Sequence, residues 1–205
     1  MTARILLATR STGKLRELRP LFAGVGLSVI DLGEAGIAES PAEDAIEAFD
    51  TFEANARAKA EYFHRMSGMP TVADDSGLAI DALDGAPGVR SKRWSGANLS
   101  GHALDEANNA KLVDTLRDVS NRAAGYVCAA VYVDGTRLVE ARGETRGRIV
   151  LERTGAGGFG YDPFFFSDEL GRTFGDSSIE EKEKISHRGR AFRGLIAKLR
   201  GLRTG

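Results

Sequence analysis

The stretch Pro70-Thr71-Val72-Ala73-Asp74-Asp75-Ser76-Gly77 joins an apolar, strand-like run to a polar one. Two adjacent carboxylates, Asp74 and Asp75, stand where the apolar run ends. Neighbouring carboxylates repel each other, so such a pair is stable only where a cation, a proton or a basic group compensates it. The pair predicts a Mg²⁺ site at the exit of a strand. The alternative is an acidic turn in which one aspartate caps the backbone of Ser76-Gly77.

Strands and helices alternate on the N-terminal side of this pair. Residues 5–9 and 27–32 are predicted strands, and residues 14–22 and 51–66 are predicted helices with apolar side chains at helical spacing. The turn between the first strand and the first helix directs backbone amides at a position that favours a phosphate. Residues 8–14 approximate a P-loop, but Ala8 replaces its first glycine and Leu15 its Ser or Thr, so we expect no true P-loop.

The C-terminal side of the pair adds a helix at residues 105–116, a hairpin and a final helix at residues 185–202. The hairpin is predicted because two β-rich runs within residues 125–150 flank Asp134-Gly135. This mixture of elements predicts an α/β or α+β fold with one sheet.

A glycine-rich loop with aromatic residues occupies residues 155–163. Glycines let backbone amides approach a ligand closely, and an aromatic ring on such a loop offers a face on which a base can stack. The alternative is a flexible connection whose Phe159 and Tyr161 fold back into the core.

Composition restricts the class of protein. The 205 residues include 28 basic and 29 acidic side chains, and this near balance disfavours a general nucleic-acid binder. A chain of this length can bury one substantial core, so we expect a single domain over residues 1–205. A lone Cys128, and no apolar run near the ~20 residues of a membrane span, predict a soluble, cytoplasmic protein.

Three motifs occur in the order and spacing of a known family: residues 73–77 (ADDSG), 157–163 (GGFGYDP) and 180–191 (EEKEKISHRGRA). Over nearly its whole length the chain resembles the inosine triphosphate pyrophosphatase family, which hydrolyses non-standard purine nucleoside triphosphates to the monophosphate and pyrophosphate. The resemblance implies an α/β fold whose central, elongated mixed sheet is flanked by helices and forms two lobes, with the active site in the cleft between them. It also implies Mg²⁺, a purine nucleoside triphosphate substrate and a homodimer.

The resemblance also implies roles for individual residues. Asp75 is the implied catalytic proton acceptor, and the implied metal ligands are Asp75, Glu47 and Asp74; the division of roles within the aspartate pair stays open. The implied substrate-binding residues are Thr9, Arg10, Ser11, Thr12, Gly13 and Lys14 around the triphosphate, Ser76 beside it, and Phe159, Gly160, Tyr161, Asp162, Lys182, His187 and Arg188 around the base and ribose.

The chain departs from the family pattern at Ser11, Phe49 and Ala54, where Asn, Gly and Glu are usual. Serine keeps a hydroxyl but reaches less far, and Ala54 removes a carboxylate near the implied metal site. Glu53 lies roughly 100° away around a helix and is a poor substitute, so we expect weaker metal binding. Two other functions stay open: a nucleotide-binding sensor without turnover, and a pyrophosphatase for modified pyrimidine nucleotides.

Overall fold

The computed structural model describes residues 4–201. The strands in that range are β1 (Ile5–Leu7), β2 (Val29–Asp31), β3 (Thr71–Ile80), β4 (Ala123–Val133), β5 (Leu138–Ile149), β6 (Phe165–Ser167) and β7 (Arg172–Thr173). The helices are α1 (Thr12–Ala23), α2 (Phe52–Ser67), α3 (Gly101–Leu116), α4 (Ile179–Ile185) and α5 (His187–Gly201). None of these helices is both long enough and apolar enough to cross a membrane.

The strands form one mixed sheet in the order β2-β1-β3-β4-β5-β6-β7. β1 pairs in parallel with β2 and β3, so that Leu6 lies opposite both Ile30 and Thr71. Parallel neighbours need long crossovers, and α1 and α2 lie in these two connections. β6 is antiparallel to β5 and β7. The predicted α/β fold with a mixed sheet flanked by helices is therefore confirmed.

The chain divides into two compact units, and the first contains the residues up to Asp75, Cys128–Gly143 and the chain from Arg188 onward. Its core combines apolar side chains of β1, α1, β3, β4, β5 and α5, including Leu7, Phe22 and Phe192. Phe22 and Phe192 meet edge to face with ring centroids 5.8 Å apart. Each fully buried side chain of this size contributes about 1.5–3 kcal/mol, so this packing fixes α1 and α5 on the strands.

The second unit contains Ser76–Val127 and Glu144–His187. Its core is rich in aromatic residues, with the Tyr126 ring 4.7 Å from Phe165 and the Phe165 ring 5.0 Å from Phe174. Leu112 and Leu116 of α3 are buried in the same cluster. This packing holds α3 and the chain that follows the glycine-rich loop. The prediction of a single domain over residues 1–205 stays a prediction.

The aspartate pair lies inside a strand, so the prediction of a strand exit or turn at Ser76-Gly77 is wrong. β3 runs without interruption from Thr71 to Ile80. The strand was predicted to end here because polar residues interrupt the apolar run, and the partners that compensate them come from distant parts of the chain. Successive side chains of a strand project to opposite faces, so Asp74 and Asp75 have different surroundings.

The C-terminal helix begins at His187, two residues later than predicted. Ser186 has an extended backbone with ψ 153°, which separates α4 from α5. Ser178 and Glu181 form a capping box that starts α4, and this local signal accounts for a separate short helix. Lys182 therefore lies on α4 and Arg188 in the first turn of α5; residue 202, the predicted end, falls outside the described residues. The hairpin at Asp134-Gly135 is confirmed, since it joins β4 to β5.

Candidate active site

Asp74 is the centre of a buried ionic cluster in the first unit. Its side chain is 1% exposed, and its Oδ2 lies 3.0 Å from Lys14 Nζ and 3.3 Å from Arg188 Nε. Burial would raise the pKa of Asp74, but the charges of Lys14, Arg188 and Lys59 lower it well below the usual range. Asp74 is therefore a permanent anion at neutral pH, and it fixes the positions of two cations.

Arg188 is held between two carboxylates. Besides Asp74 it donates from Nη1 to Glu17 Oε2 at 2.5 Å, and its side chain is only 4% exposed. Burial opposes its charge, but Glu17 and Asp74 raise its pKa above the ordinary value. Glu17, on α1, was missed in the sequence, although its position three residues after Lys14 places both on one helix face.

Asp75 is surrounded by different groups. Its Oδ2 accepts a hydrogen bond from Asn55 Nδ2 at 3.0 Å, and the residue is 7% exposed. Burial raises the pKa of Asp75, and the nearby Glu47 carboxylate raises it further; Lys59, Lys14 and the Asn55 hydrogen bond oppose the shift without cancelling it. A carboxylate with a raised pKa holds a proton more readily than an ordinary aspartate, which suits a general base.

Lys59 is a second residue that the sequence analysis missed. It forms an ion pair with Glu47, and its side chain is 12% exposed. Burial lowers the pKa of Lys59, but Glu47, Asp74 and Asp75 together raise it above the ordinary value, so the ammonium is charged at neutral pH. Asn55 and Lys59 are one turn apart on α2, and this spacing was the available signal.

The oxygen atoms of this cluster fit a hard cation. Asp74 Oδ1 is buried and has no hydrogen-bond partner within residues 4–201. Asp75 and Glu47 add carboxylates, although no group of three or more His, Cys, Asp or Glu side chains in the described chain is arranged to hold an ion. Mg²⁺ usually binds one or two carboxylates together with waters and substrate phosphates. One or two of the predicted ligands would suffice for that mode, and Mg²⁺ with its three predicted ligands stays a prediction.

The predicted phosphate loop leads into α1. Ser11 is the N-cap of this helix, and its Oγ accepts a hydrogen bond from Lys14 N at 3.3 Å. Thr9 Oγ1 accepts one from Ser11 N at 3.1 Å. Serine and asparagine are both strong N-caps, so the departure at Ser11 keeps the start of the helix. The first turn contains Thr12 and Gly13, and backbone amides at the start of a helix are of the kind that bind phosphate.

The Arg10 side chain bonds to the segment around residues 37–43. Its guanidinium donates to Glu43 at 2.7 Å and to the carbonyl oxygens of Ile37 and Ala38 at 2.9 and 3.0 Å. The hydrogen bond with Glu43 raises the pKa of Arg10. In this structure Arg10 anchors the segment that precedes Glu47, and its predicted contact with substrate stays a prediction.

The other two departures lie near the start of α2. Phe49 is 51% exposed, so a bulky side chain is accommodated at a position where glycine is usual. Its N–H and C=O both bond to the Asn55 side chain, at 2.9 and 3.1 Å. Ala54 is in the first turn of α2, and its N–H donates to the capping Thr51. Position 54 is roughly 100° around the helix from Asn55, which faces Asp75.

The second group of predicted residues lies in the second unit, around Asp162. Its Oδ2 accepts from Phe159 N at 2.8 Å and from Lys182 Nζ at 2.5 Å. The Lys182 ammonium also lies 5.0 Å from the centroid of the Phe159 ring. Gly158 has φ +74°, and a Cβ there would lie 2.2 Å from Asp162 Oδ2. Only glycine fits at position 158, and the hydrogen bonds of Asp162 connect the loop to Lys182.

The aromatic residues of the loop differ in exposure. Tyr161 is 5% exposed, and its hydroxyl donates to Ser91 O at 2.7 Å. Burial and the nearby Asp105 raise its pKa. Tyr161 thus packs in the core, as the alternative interpretation held, while Phe159 is half-buried. His187 is buried and stacks on the Tyr126 ring at 4.5 Å, and Ser76 is half-buried next to Asp75 in β3.

The structure therefore groups the predicted residues in two sets. The first set lies in the first unit and consists of Thr9, Arg10, Ser11, Thr12, Gly13, Lys14, Glu47, Asp74, Asp75 and Arg188. The second set lies in the second unit and consists of Ser76, Phe159, Gly160, Tyr161, Asp162, Lys182 and His187. The predicted contact of Arg188 with the substrate stays a prediction.

Comparisons with known proteins give matches over nearly the whole chain. A sequence model of the Ham1 family matches residues 5–198. The dITP/XTP pyrophosphatase of Frankia alni is 45% identical, over 98% of this chain and 99% of that protein, and the one of Ralstonia nicotianae is 44% identical over 96% of each. The solved Ham1 protein from Coxiella burnetii has a TM-score of 0.82 and 33% identity, covering 97% of this chain and 99% of that one. These matches confirm the resemblance drawn from the three motifs.

Proposed function

The chain belongs to the Ham1 family, and we propose that it is a pyrophosphatase that hydrolyses ITP, dITP and XTP to the monophosphate and pyrophosphate. The observation that carries the proposal is the surroundings of Asp75, a buried carboxylate whose Oδ2 accepts a hydrogen bond from Asn55 Nδ2 at 3.0 Å and whose pKa is raised by burial. Relatives named dITP/XTP pyrophosphatase, 45% and 44% identical over nearly full length, support the choice of substrate.

In the proposed reaction Asp75 accepts a proton from the water that attacks the α-phosphorus, and pyrophosphate leaves. The raised pKa makes its carboxylate a better base than an ordinary aspartate. Asn55 donates to Asp75 Oδ2 at 3.0 Å and so orients the carboxylate. Mg²⁺, which Asp75, Glu47 and Asp74 would hold, supplies charge neutralisation of the phosphate oxygens when bound.

Fixed positive charge complements the triphosphate. Lys14 is in the first turn of α1, where the ammonium and the backbone amides of the helix start both favour an anion. Asp74 fixes the Lys14 ammonium, and the ion pair with Glu47 fixes Lys59. Preorganised charge of this kind stabilises the transition state because no reorientation is needed during the reaction.

Phe159 is the proposed stacking surface for the purine. Its ring is half-buried, and Lys182 lies over it while bonded to Asp162. Base stacking on an aromatic ring contributes about 1–3 kcal/mol and tolerates different bases. Discrimination against a 6-amino purine then depends on polar groups, since an unpaired buried polar edge costs about 1–3 kcal/mol. Magnesium dependence, a cytoplasmic location and a homodimer belong to the same proposal.

The decisive experiment is a nucleotide panel with separate detection of pyrophosphate and orthophosphate in the presence of Mg²⁺. We expect ITP, dITP and XTP to release pyrophosphate at least tenfold faster than ATP, GTP and modified pyrimidine triphosphates. Orthophosphate as the first product, or equal turnover of ATP, would overturn the proposal. Tight binding of ITP without turnover would indicate the sensor instead, and preferential hydrolysis of a modified pyrimidine nucleotide the third function.

A further inference from the structure

Two side chains of α3 hold both sides of one residue in the glycine-rich loop. The N–H of Gly160 donates to Asp105 Oδ2 at 3.0 Å, and the C=O of Gly160 accepts from Asn109 Nδ2 at 3.1 Å. Asp105 and Asn109 are four residues apart, so they lie on the same face of the helix. The spacing of the two side chains on α3 thus matches the spacing of the two polar groups of one loop residue.

The residue held in this way stands between the two aromatic residues of the loop. Gly160 has φ +60°, the left-handed region, and no atom lies within 4 Å of where its Cβ would be. Space does not require a glycine here, whereas the backbone conformation favours one. The two hydrogen bonds from α3 keep that conformation, and they therefore determine the direction in which the Phe159 ring leaves the loop.

Stability alone does not explain Asn109. The residue is 3% exposed, and its Oδ1 is buried without a hydrogen-bond partner among the described residues. A buried acceptor without a partner lowers the free energy of unfolding, so an apolar side chain at this position would serve packing better. What asparagine adds is its donor to Gly160.

We propose that Asp105 and Asn109 are positioning residues that set the selectivity of the enzyme for its base, because they fix the Gly160 peptide and with it the Phe159 ring. This inference rests on the proposed function, in which Phe159 stacks on the purine. A ring held in one orientation presents the base edge to the same polar groups in every encounter. A ring that can shift by about 1 Å still stacks on any purine, but the base edge no longer meets the same polar groups, and discrimination between bases is lost.

The test compares four variants with the wild-type protein. Asp105→Ala removes the acceptor, Asn109→Ala removes the donor, and Asp105→Asn keeps an acceptor oxygen of the same reach. Asp114→Ala is the matched control, since Asp114 lies on the same helix, is 80% exposed and has its ion pair with Arg117. For each variant the Michaelis constant and turnover number are measured with ITP and ATP.

We expect Asp105→Ala and Asn109→Ala to raise the Michaelis constant for ITP about tenfold, with the turnover number changed less than about threefold. The ITP-to-ATP ratio of kcat/KM should fall about tenfold. Asp105→Asn should keep both the Michaelis constant for ITP and the ITP-to-ATP ratio of kcat/KM close to the wild-type values. Asp114→Ala should match the wild type. Hydrogen exchange of the peptide that contains Gly160 should be faster in the two alanine variants, whether or not nucleotide is hydrolysed.

Unchanged selectivity in both alanine variants, with only a lower melting temperature, would overturn the inference, because the contacts would then be purely structural. Failure of Asp105→Asn to restore selectivity would also overturn it. If Asp105→Ala does not fold, Asn109→Ala tests the same peptide from its other side. If the wild-type protein releases no pyrophosphate from ITP, the proposed function is refuted. If hydrogen exchange of the Gly160 peptide is unchanged in the two alanine variants, the positioning role is refuted, whether or not the proposed function holds.

Discussion

The two sides of β3 differ in what they bury next to a carboxylate. At Asp74 the chain places Lys14 from α1 and Arg188 from α5, with two ion pairs at 3.0 and 3.3 Å. At Asp75 the hydrogen-bond donor is Asn55 from α2, and burial outweighs the charges of Lys59 and Lys14. The pKa of Asp74 is lowered and that of Asp75 is raised, although the residues are adjacent and of the same type.

This difference shows that the roles of adjacent aspartates are decided by the helices that pack on each side of the strand. Asp74 is locked in its charged form and serves to hold cations. The raised pKa of Asp75 means that its carboxylate binds a proton more readily than Asp74 does, so Asp75 is the better general base. Substitutions on the two sides should accordingly have different effects, one on turnover and the other on stability.

The largest effect is expected from Asp75→Asn. The change keeps the shape but removes the proton acceptor, so the turnover number for ITP should fall by about 10²- to 10⁴-fold. The variant should fold as well as the wild type. Because the pKa of Asp75 is raised in the folded state, the wild-type protein loses stability as the pH rises through that pKa. Asparagine has no carboxyl group, so the Asp75→Asn variant lacks this loss of stability. Pyrophosphate release and a melting curve at pH 7 check both points. Near-wild-type turnover would exclude Asp75 as the base.

Arg188→Met comes next. It leaves the buried carboxylates of Asp74 and Glu17 with one cation fewer, and breaking a buried ion pair typically costs about 3–5 kcal/mol of unfolding free energy. Denaturant unfolding measures this loss. Arg193→Met, an exposed change on the same helix, is the control and should have little effect. If Arg188→Met instead unfolds like the wild type and shows lower selectivity among the nucleoside triphosphates, the prediction that Arg188 borders the base is correct.

Asp74→Asn should lower stability by a smaller amount, about 1–3 kcal/mol, because Arg188 keeps its bond to Glu17. The folded pKa of Asp74 is lowered, so its contribution is present above the unfolded value of about 3.9 and is lost as pH falls towards the folded value. The gap between variant and wild type should therefore be widest near neutral pH and close below about pH 4. A gap that widens in acid would contradict the assigned surroundings.

The smallest effect is expected from Ala54→Glu. A carboxylate at position 54 can strengthen metal binding only if its side chain faces Asp75. Asn55 faces Asp75, and position 54 lies roughly 100° around the helix from Asn55. We expect the Mg²⁺ concentration for half-maximal rate to fall by less than about threefold. A tenfold fall would show that position 54 reaches the ion and that the departure at Ala54 matters.

The sequence predicted the sheet and most helices, because apolar periodicity is a local signal. Short motifs supplied the candidate site residues, whose roles stay predictions. The sequence did not predict that β3 continues through Asp74-Asp75-Ser76-Gly77, since the groups that make this possible come from Lys14, Asn55 and Arg188. Lys59 and Glu17 were missed for the same reason. Their importance arises from buried partners that are distant in sequence, and residue type alone does not reveal a buried ion pair.

The most direct test of the account is an NMR titration of the side-chain carboxyl carbons of Asp74 and Asp75, with Asp74→Asn and Asp75→Asn providing the assignments. The account predicts that Asp74 stays ionised well below the ordinary aspartate pKa of about 3.9, while Asp75 takes up its proton above that value. Both resonances titrating together near the ordinary value, or in the reverse order, would contradict the division of roles between the two sides of β3.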